Sequence, residues 1–224
     1  MADVEHPQPR RGRTLASVAA PILVVAIVAL LSSRGHGDRP PAPRPSATSA
    51  PIDELPIVSK SMVASDPRNG TLLLVGCCDP GVSGSEPAST WERIGTGWTH
   101  LAPATAPPYH PGAGLAFDPA TATFLLQGGD GSSETWSWDG RDWTPLHPPA
   151  SPPPGPAVMT YSSAGRVLVL LTTTPGPDVE TWSWDGRTWA RVAAPAPPPP
   201  QGPFAVADDP LRRRLVVLVG AGCG

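Results

Sequence analysis

Three pairs of tryptophans recur at one spacing, Trp91–Trp98, Trp136–Trp143 and Trp182–Trp189, with successive pairs starting 45 and 46 residues apart. The last two copies read Thr-Trp-Ser-Trp-Asp-Gly-Arg-x-Trp and so add Trp138 and Trp184. A period of this length marks a repeat architecture, in which each unit buries its apolar face only against its neighbours.

Between the tryptophan segments lie apolar runs, Thr71–Gly76, Thr123–Gly129, Arg166–Leu171 and Leu215–Gly220. Near-continuous apolar runs of this length suit strands covered on both faces. Asp66-Pro67, Asp118-Pro119 and Asp209-Pro210 precede three of them, and Ser162-Ser163 precedes the fourth. Asp or Ser can close a turn through its side chain, so each apolar run is expected to be half of a hairpin. The tryptophan segments read as hairpins with a two-residue turn at Asp139-Gly140 or Asp185-Gly186. That turn sets Trp138 opposite Arg141 and Trp136 opposite Trp143, with Trp182 and Trp189 likewise. In the first copy Gly95 takes the turn and Arg93 replaces the middle Trp. The regular repetition argues for Trp packing inside each unit rather than for a sugar-stacking platform, and Asp139 and Asp185 read as turn residues. Pro-rich crossings at 103–111, 145–156 and 195–203 connect one unit to the next, because Pro cannot donate to a ladder.

Two hairpins and a crossing make a four-stranded unit. The apolar strand, the Gly128-Gly129 pair, the Trp-x6-Trp spacing and the Pro-rich link together resemble the kelch-type β-propeller, also found in the central domain of galactose oxidase. The resemblance covers residues 57–224 and implies an all-β kelch-like propeller, with a flat β-solenoid or a partly disordered array as the alternative. The hairpins alternate and both ends are of the apolar kind, which gives about three and a half blades. Such a set could form a minimal ring, an open arc or a fragment needing another chain.

Cys77 and Cys78 follow the first apolar strand and Cys223 follows the last. A disulfide from Cys223 to Cys77 or Cys78, a vicinal Cys77–Cys78 bridge and free buried thiols all remain open at this stage. The galactose oxidase likeness draws attention to Tyr109-His110 as copper ligands with Tyr161 as a second tyrosine. No further His is convincingly placed, and His100, His110 and His147 lack metal-ligand spacing. Neither catalytic residues nor a metal or other cofactor are therefore expected.

Thr14 to Ser33 carries no charge and is long enough to cross a bilayer as a helix, behind Arg10, Arg11 and Arg13. The reading is a cytoplasmic tail (1–13), a single transmembrane anchor (14–33), a Pro-rich stalk (34–56) and an exported domain (57–224). A cleaved signal peptide shares the basic start and apolar middle. From residue 57 onward ten basic residues face 14 acidic ones, which leaves no basic stripe for nucleic acid. The expected function is a cell-membrane-anchored, extracytoplasmic interaction module that binds a protein or glycan and could form an oligomer. The alternatives are a propeller enzyme related to galactose oxidase, or a degenerate propeller without independent activity.

Overall fold

The computed structural model describes residues 24–28, 59–77, 87–95, 97–173, 179–193 and 204–219. The described residues form one short N-terminal strand, β1 (Val24–Val28), and fourteen more that alternate between the two hairpin kinds. The first sheet holds β2 (Ser59–Asp66), β3 (Thr71–Cys77), β4 (Ser89–Ile94) and β5 (Gly97–Leu101). The second holds β6 (Gly114–Asp118), β7 (Thr123–Gln127), β8 (Thr135–Trp138) and β9 (Trp143–Leu146). The third holds β10 (Ala157–Ser162), β11 (Val167–Thr173), β12 (Val179–Trp184) and β13 (Trp189–Arg191). In each the strands are antiparallel and lie in chain order. The fourth sheet pairs β14 (Phe204–Asp209) with β15 (Arg214–Val219) and sets β1 beside β15.

The alternation of hairpins is therefore as the sequence suggests, with three full blades and an apolar half. The innermost strands β2, β6, β10 and β14 pack side by side in that order, so the sheets radiate in the manner of a propeller. The second strand of each full sheet is covered on both faces. Leu73, Leu125 and Leu168 to Leu171 are all 2% exposed or less.

The turns before these strands work as their residues suggest. Asp66 Oδ1 accepts the Arg68 N–H at 2.9 Å, Asp118 Oδ1 accepts Ala120 N–H at 2.9 Å, and Ser162 Oγ accepts Gly165 N–H at 3.2 Å. The residue that closes the turn is left-handed in every sheet, and only the first uses glycine: Gly70, Ala122, Arg166 and Arg213 have φ of 76°, 61°, 56° and 54°.

The tryptophan hairpins differ from the expected register. Trp138 lies opposite Trp143 and Trp184 opposite Trp189, while Trp136 faces Pro145. The loop is four residues long, because Asp139 Oδ1 accepts N–H groups from both Arg141 and Asp142 at 2.8 Å. Asp185 does the same for Arg187 and Thr188 at 2.9 Å. The wider loop brings two indoles together on one face, tilted 45° and 48° with centroids 5.4 and 5.3 Å apart. In the first sheet Arg93 pairs with Trp98.

Each buried indole pair also fastens its blade to the one before. Trp143 Nε1–H donates to Thr90 Oγ1 at 2.9 Å, and Trp189 Nε1–H donates to Thr135 Oγ1 at 3.1 Å. Around the first bond Leu73, Val75, Leu115, Phe117, Phe124, Leu126, Trp138 and Trp143 form one core. Ala116, Leu125, Met159, Leu168, Leu170, Trp184 and Trp189 form the next, and Val169, Leu171, Leu215 and Val217 the third. The core thus lies between sheets rather than within a single layer.

Two expectations meet the structure at the N-terminus. Within the 14–33 segment, Val24–Val28 form β1 and pair in parallel with Leu215–Val219, where a transmembrane helix was expected. The physical reason is local: Val-Val-Ala-Ile-Val is rich in β-branched residues, and among the described residues no other strand takes that edge of β15. No helix among the described residues is long and apolar enough to cross a membrane. The rest of 14–33, with 1–13 and the whole of the stalk (34–56), lies outside the described residues.

Replacing Thr90 by the isosteric Val leaves the Trp143 indole N–H buried without its acceptor, at a cost of about 1–3 kcal/mol. Thr135→Val should cost the same, while Thr99→Val on exposed β5 should stay within about 0.5 kcal/mol. Urea unfolding of the three variants checks the order. A second prediction concerns pH. The Arg68 side-chain hydrogen bond holds the Asp66 carboxyl below the usual carboxylate range, against the opposing effect of its burial. Backbone N–H groups of Asp142 and Arg141 do the same for Asp139. Because the folded-state values are the lower ones, this stabilisation is present above about pH 4 and is lost as pH falls through them. The melting temperature should therefore drop less steeply between pH 6 and pH 2 in Arg68→Gln than in the native chain.

Candidate functional site

The tryptophans fall into two classes by exposure. Trp138, Trp143, Trp184 and Trp189 are 1–3% exposed and belong to the interblade cores. Trp91, Trp136 and Trp182, the first Trp of each hairpin, are only half-buried, as is Trp98. Packing alone therefore does not account for the whole stripe.

What lies across the strand from each first Trp decides whether its surroundings stay open. Trp91 faces His100, whose ring stacks on it with centroids 4.5 Å apart. Trp182 faces Arg191. Its indole N–H donates to Glu180 Oε2 at 2.9 Å, and Arg191 Nη2 binds the other oxygen of that carboxylate at 3.0 Å. Trp136 faces the compact Pro145. Its indole N–H donates to Glu134 Oε2 at 3.0 Å. Beside it opens a groove of about 270 Å³ lined by Glu134, Trp136, Pro145, Leu146, His147 and Ser151.

This groove brings together an indole, an exposed carboxylate and an imidazole on the outer part of the second sheet. Glu134 is fixed through one oxygen, so the rest of its lone pairs can accept hydroxyl donors. The indole offers an apolar surface with a polar tip. Glu134 did not stand out in the sequence, although Glu-Thr-Trp occurs in both later copies and Ser89 replaces the Glu in the first, and His147 was weighed there only as a metal ligand.

Other residues singled out from sequence are placed apart from it. Tyr109 is 5% exposed in the core between the first and second sheets, and burial, then Cys77, then Asp130 push its hydroxyl above the ordinary range. Tyr161 packs in the core between the second and third sheets. His110 Nδ1 lies 3.1 Å from the Asp130 carbonyl oxygen, and His100 covers Trp91. The structure does not bring together the two tyrosines suggested by the galactose oxidase likeness. Cys77 is a buried free thiol in the first interblade core, and Cys78 and Cys223 lie outside the described residues. Asp139 and Asp185 hold their loops, as their sequence context implies.

Two wider openings lie at the axis, where the innermost strands of all four sheets contribute residues. One of about 530 Å³ is lined by Val63, Gly114, Val158 and Val206 among others, and one of about 450 Å³ by Ser65, Phe117, Tyr161 and Val206. The wall of the first is mainly apolar, while that of the second is about half polar and includes the rings of Phe117 and Tyr161.

The Glu134 contact gives a direct readout. Glu134→Ala frees the Trp136 indole N–H to water, and the exposed component of tryptophan fluorescence should shift to longer wavelength. Thermal stability should change by less than about 0.5 kcal/mol, because the pair is exposed.

No family model matches the chain, and no curated protein matches it. Solved structures do. AofleA from Arthrobotrys oligospora matches with a TM-score of 0.46 and 14% identity, over 64% of this chain and 45% of that one. The fucose-specific lectin from Aleuria aurantia matches with a TM-score of 0.44 and 14% identity, over 65% and 49%. A fucose lectin from Kordia zhangzhouensis in complex with methyl-fucoside matches with a TM-score of 0.31 and 15% identity, over 59% and 97%. The chain spans about half the length of the first two. The resemblance to kelch and galactose oxidase proteins is corrected here: two of these three structures are named as fucose lectins, and none of the three is named as a kelch protein or a galactose oxidase. The double glycine that formed one part of it, Gly128-Gly129, is a local packing feature. Both residues have positive φ, and a Cβ on Gly129 would come within 2.7 Å of the His110 Cβ.

Proposed function

We propose that the chain is a non-enzymatic binding module whose second sheet holds a saccharide in the groove beside Trp136. The observation that supports this most is the difference between three equivalent tryptophans. His100 stacks on the first and Arg191 faces the third, while the second keeps an open groove with Glu134 and His147 on its rim. Sugars present a C–H face that suits an indole and a ring of hydroxyls that suits carboxylate and imidazole acceptors. The groove has room for a single sugar ring with water around it.

A place at the cell envelope, with residues 14–33 in the bilayer, is proposed from the sequence alone. The bilayer and β15 cannot hold Val24–Val28 at the same time.

Galactose, mannose, fucose and N-acetylglucosamine, titrated separately against intrinsic fluorescence, test the reading. At least one is expected to bind with saturation. Trp136→Ala should weaken that binding tenfold or more, and Trp182→Ala should leave it within about twofold. Saturable binding that survives Trp136→Ala, or no binding of any glycan on a broad array, contradicts the proposal.

A further inference from the structure

Because the sheets repeat in register, each residue can be compared with its counterparts. The place of Val63 in β2 is taken by Leu115 in β6 and Met159 in β10. Leu115 and Met159 lie in the cores formed with the preceding sheet and are 7% and 9% exposed, whereas Val63 is 53% exposed. The place of Leu218 in β15 is taken by Val75, Gln127 and Leu171, which are at most 1% exposed. Leu218 is 51% exposed. Val63 and Leu218 are two of the three exposed large hydrophobics among the described residues, and they mark the two ends of the array.

Other features of the first sheet agree. Trp98 is half-buried where Trp143 and Trp189 are 1% and 2% exposed. The Trp91 indole nitrogen is buried without a hydrogen-bond partner, where Trp136 and Trp182 have theirs. Across the fourth sheet, Ala205 and Ala207 are exposed on the same outer face as Leu218.

The two end faces differ in kind and complement each other. Every internal joint sets the face carrying the Leu115 position against the face carrying the Val75 position. Val75 shares a core with Leu115 in the first joint, and in the third Leu171 shares one with partly buried Val206. Among the described residues the first sheet shows the former face with no sheet packed before it, and the fourth shows the latter with no sheet packed after it.

The geometry points to a second copy of this chain as the occupant of both faces. The first sheet of each copy packs on the fourth sheet of the other about a two-fold axis. That arrangement closes with no open end, as a cyclic assembly requires. Its eight sheets fall within the range that propellers adopt. A single copy leaves Val63 and Leu218 each half in solvent, so it does not close these faces on itself.

The test uses the full chain in a mild non-ionic detergent, with mass measured by sedimentation equilibrium at micromolar concentration. The native chain is expected to sediment at twice its chain mass. Val63→Lys and Leu218→Glu should each sediment as monomers, with near-ultraviolet circular dichroism showing that the tryptophan core is intact. Mixing the two variants should restore the dimer, because one joint then sets opposite charges together and the other is native. Should either charged variant fail to fold, Leu218→Gln and Val63→Thr replace them, each expected to weaken the dimer about tenfold. A monomeric native chain overturns the proposal, and so does a dimer indifferent to all four substitutions. Charged variants that stay apart on mixing overturn it as well, since a joint between unlike faces is restored in that mixture.

Discussion

The fold depends on one recurring contact, a buried indole N–H donated backwards to the threonine of the preceding blade. Trp143 reaches Thr90, and Trp189 reaches Thr135. Inside an apolar core an unpaired donor is costly, so the bond fixes how one sheet may slide over the next. The rest of each joint is non-directional burial of Leu, Val and Phe, which gives energy but little register. The Asp139 and Asp185 loops set the geometry. By spanning four residues they bring Trp138 against Trp143 and Trp184 against Trp189, and the second Trp of each pair then reaches its partner.

Much of this was legible in the sequence, and the failures have definite causes. The alternation of hairpins, the apolar middle strands and the Asp-Pro turns follow from periodicity and turn chemistry. The hairpin register was misjudged because Asp-Gly favours a two-residue turn. Asp139 instead uses its carboxylate to bind two further N–H groups, a choice visible only once the loop is seen. The left-handed Ala122, Arg166 and Arg213 carried no signal, since no glycine marks those places. Residues 24–28 show the limit of composition, because an uncharged Val- and Ile-rich stretch suits a bilayer helix and a sheet edge equally well.

The candidate site was less legible than the fold. All the tryptophans repeat, so repetition suggested that all of them pack. Exposure depends on the residue across the strand, which is His100, Pro145 or Arg191 in the three sheets. Those residues are nine positions downstream of their Trp and meet it only through the corrected register. The same comparison across sheets exposes the unmatched ends at Val63 and Leu218. Regular packing makes the irregular positions informative.

Hydrogen exchange of the indole N–H groups, followed by nuclear magnetic resonance, tests the role of the interblade bond most directly. If the bond holds blade to blade, the Trp143 and Trp189 indole protons exchange only with global opening, as slowly as the amides of β7 and β11. Exchange as fast as that of the half-exposed Trp98 and Trp136 would show that the joints open on their own, and the bond would no longer be what holds blade to blade.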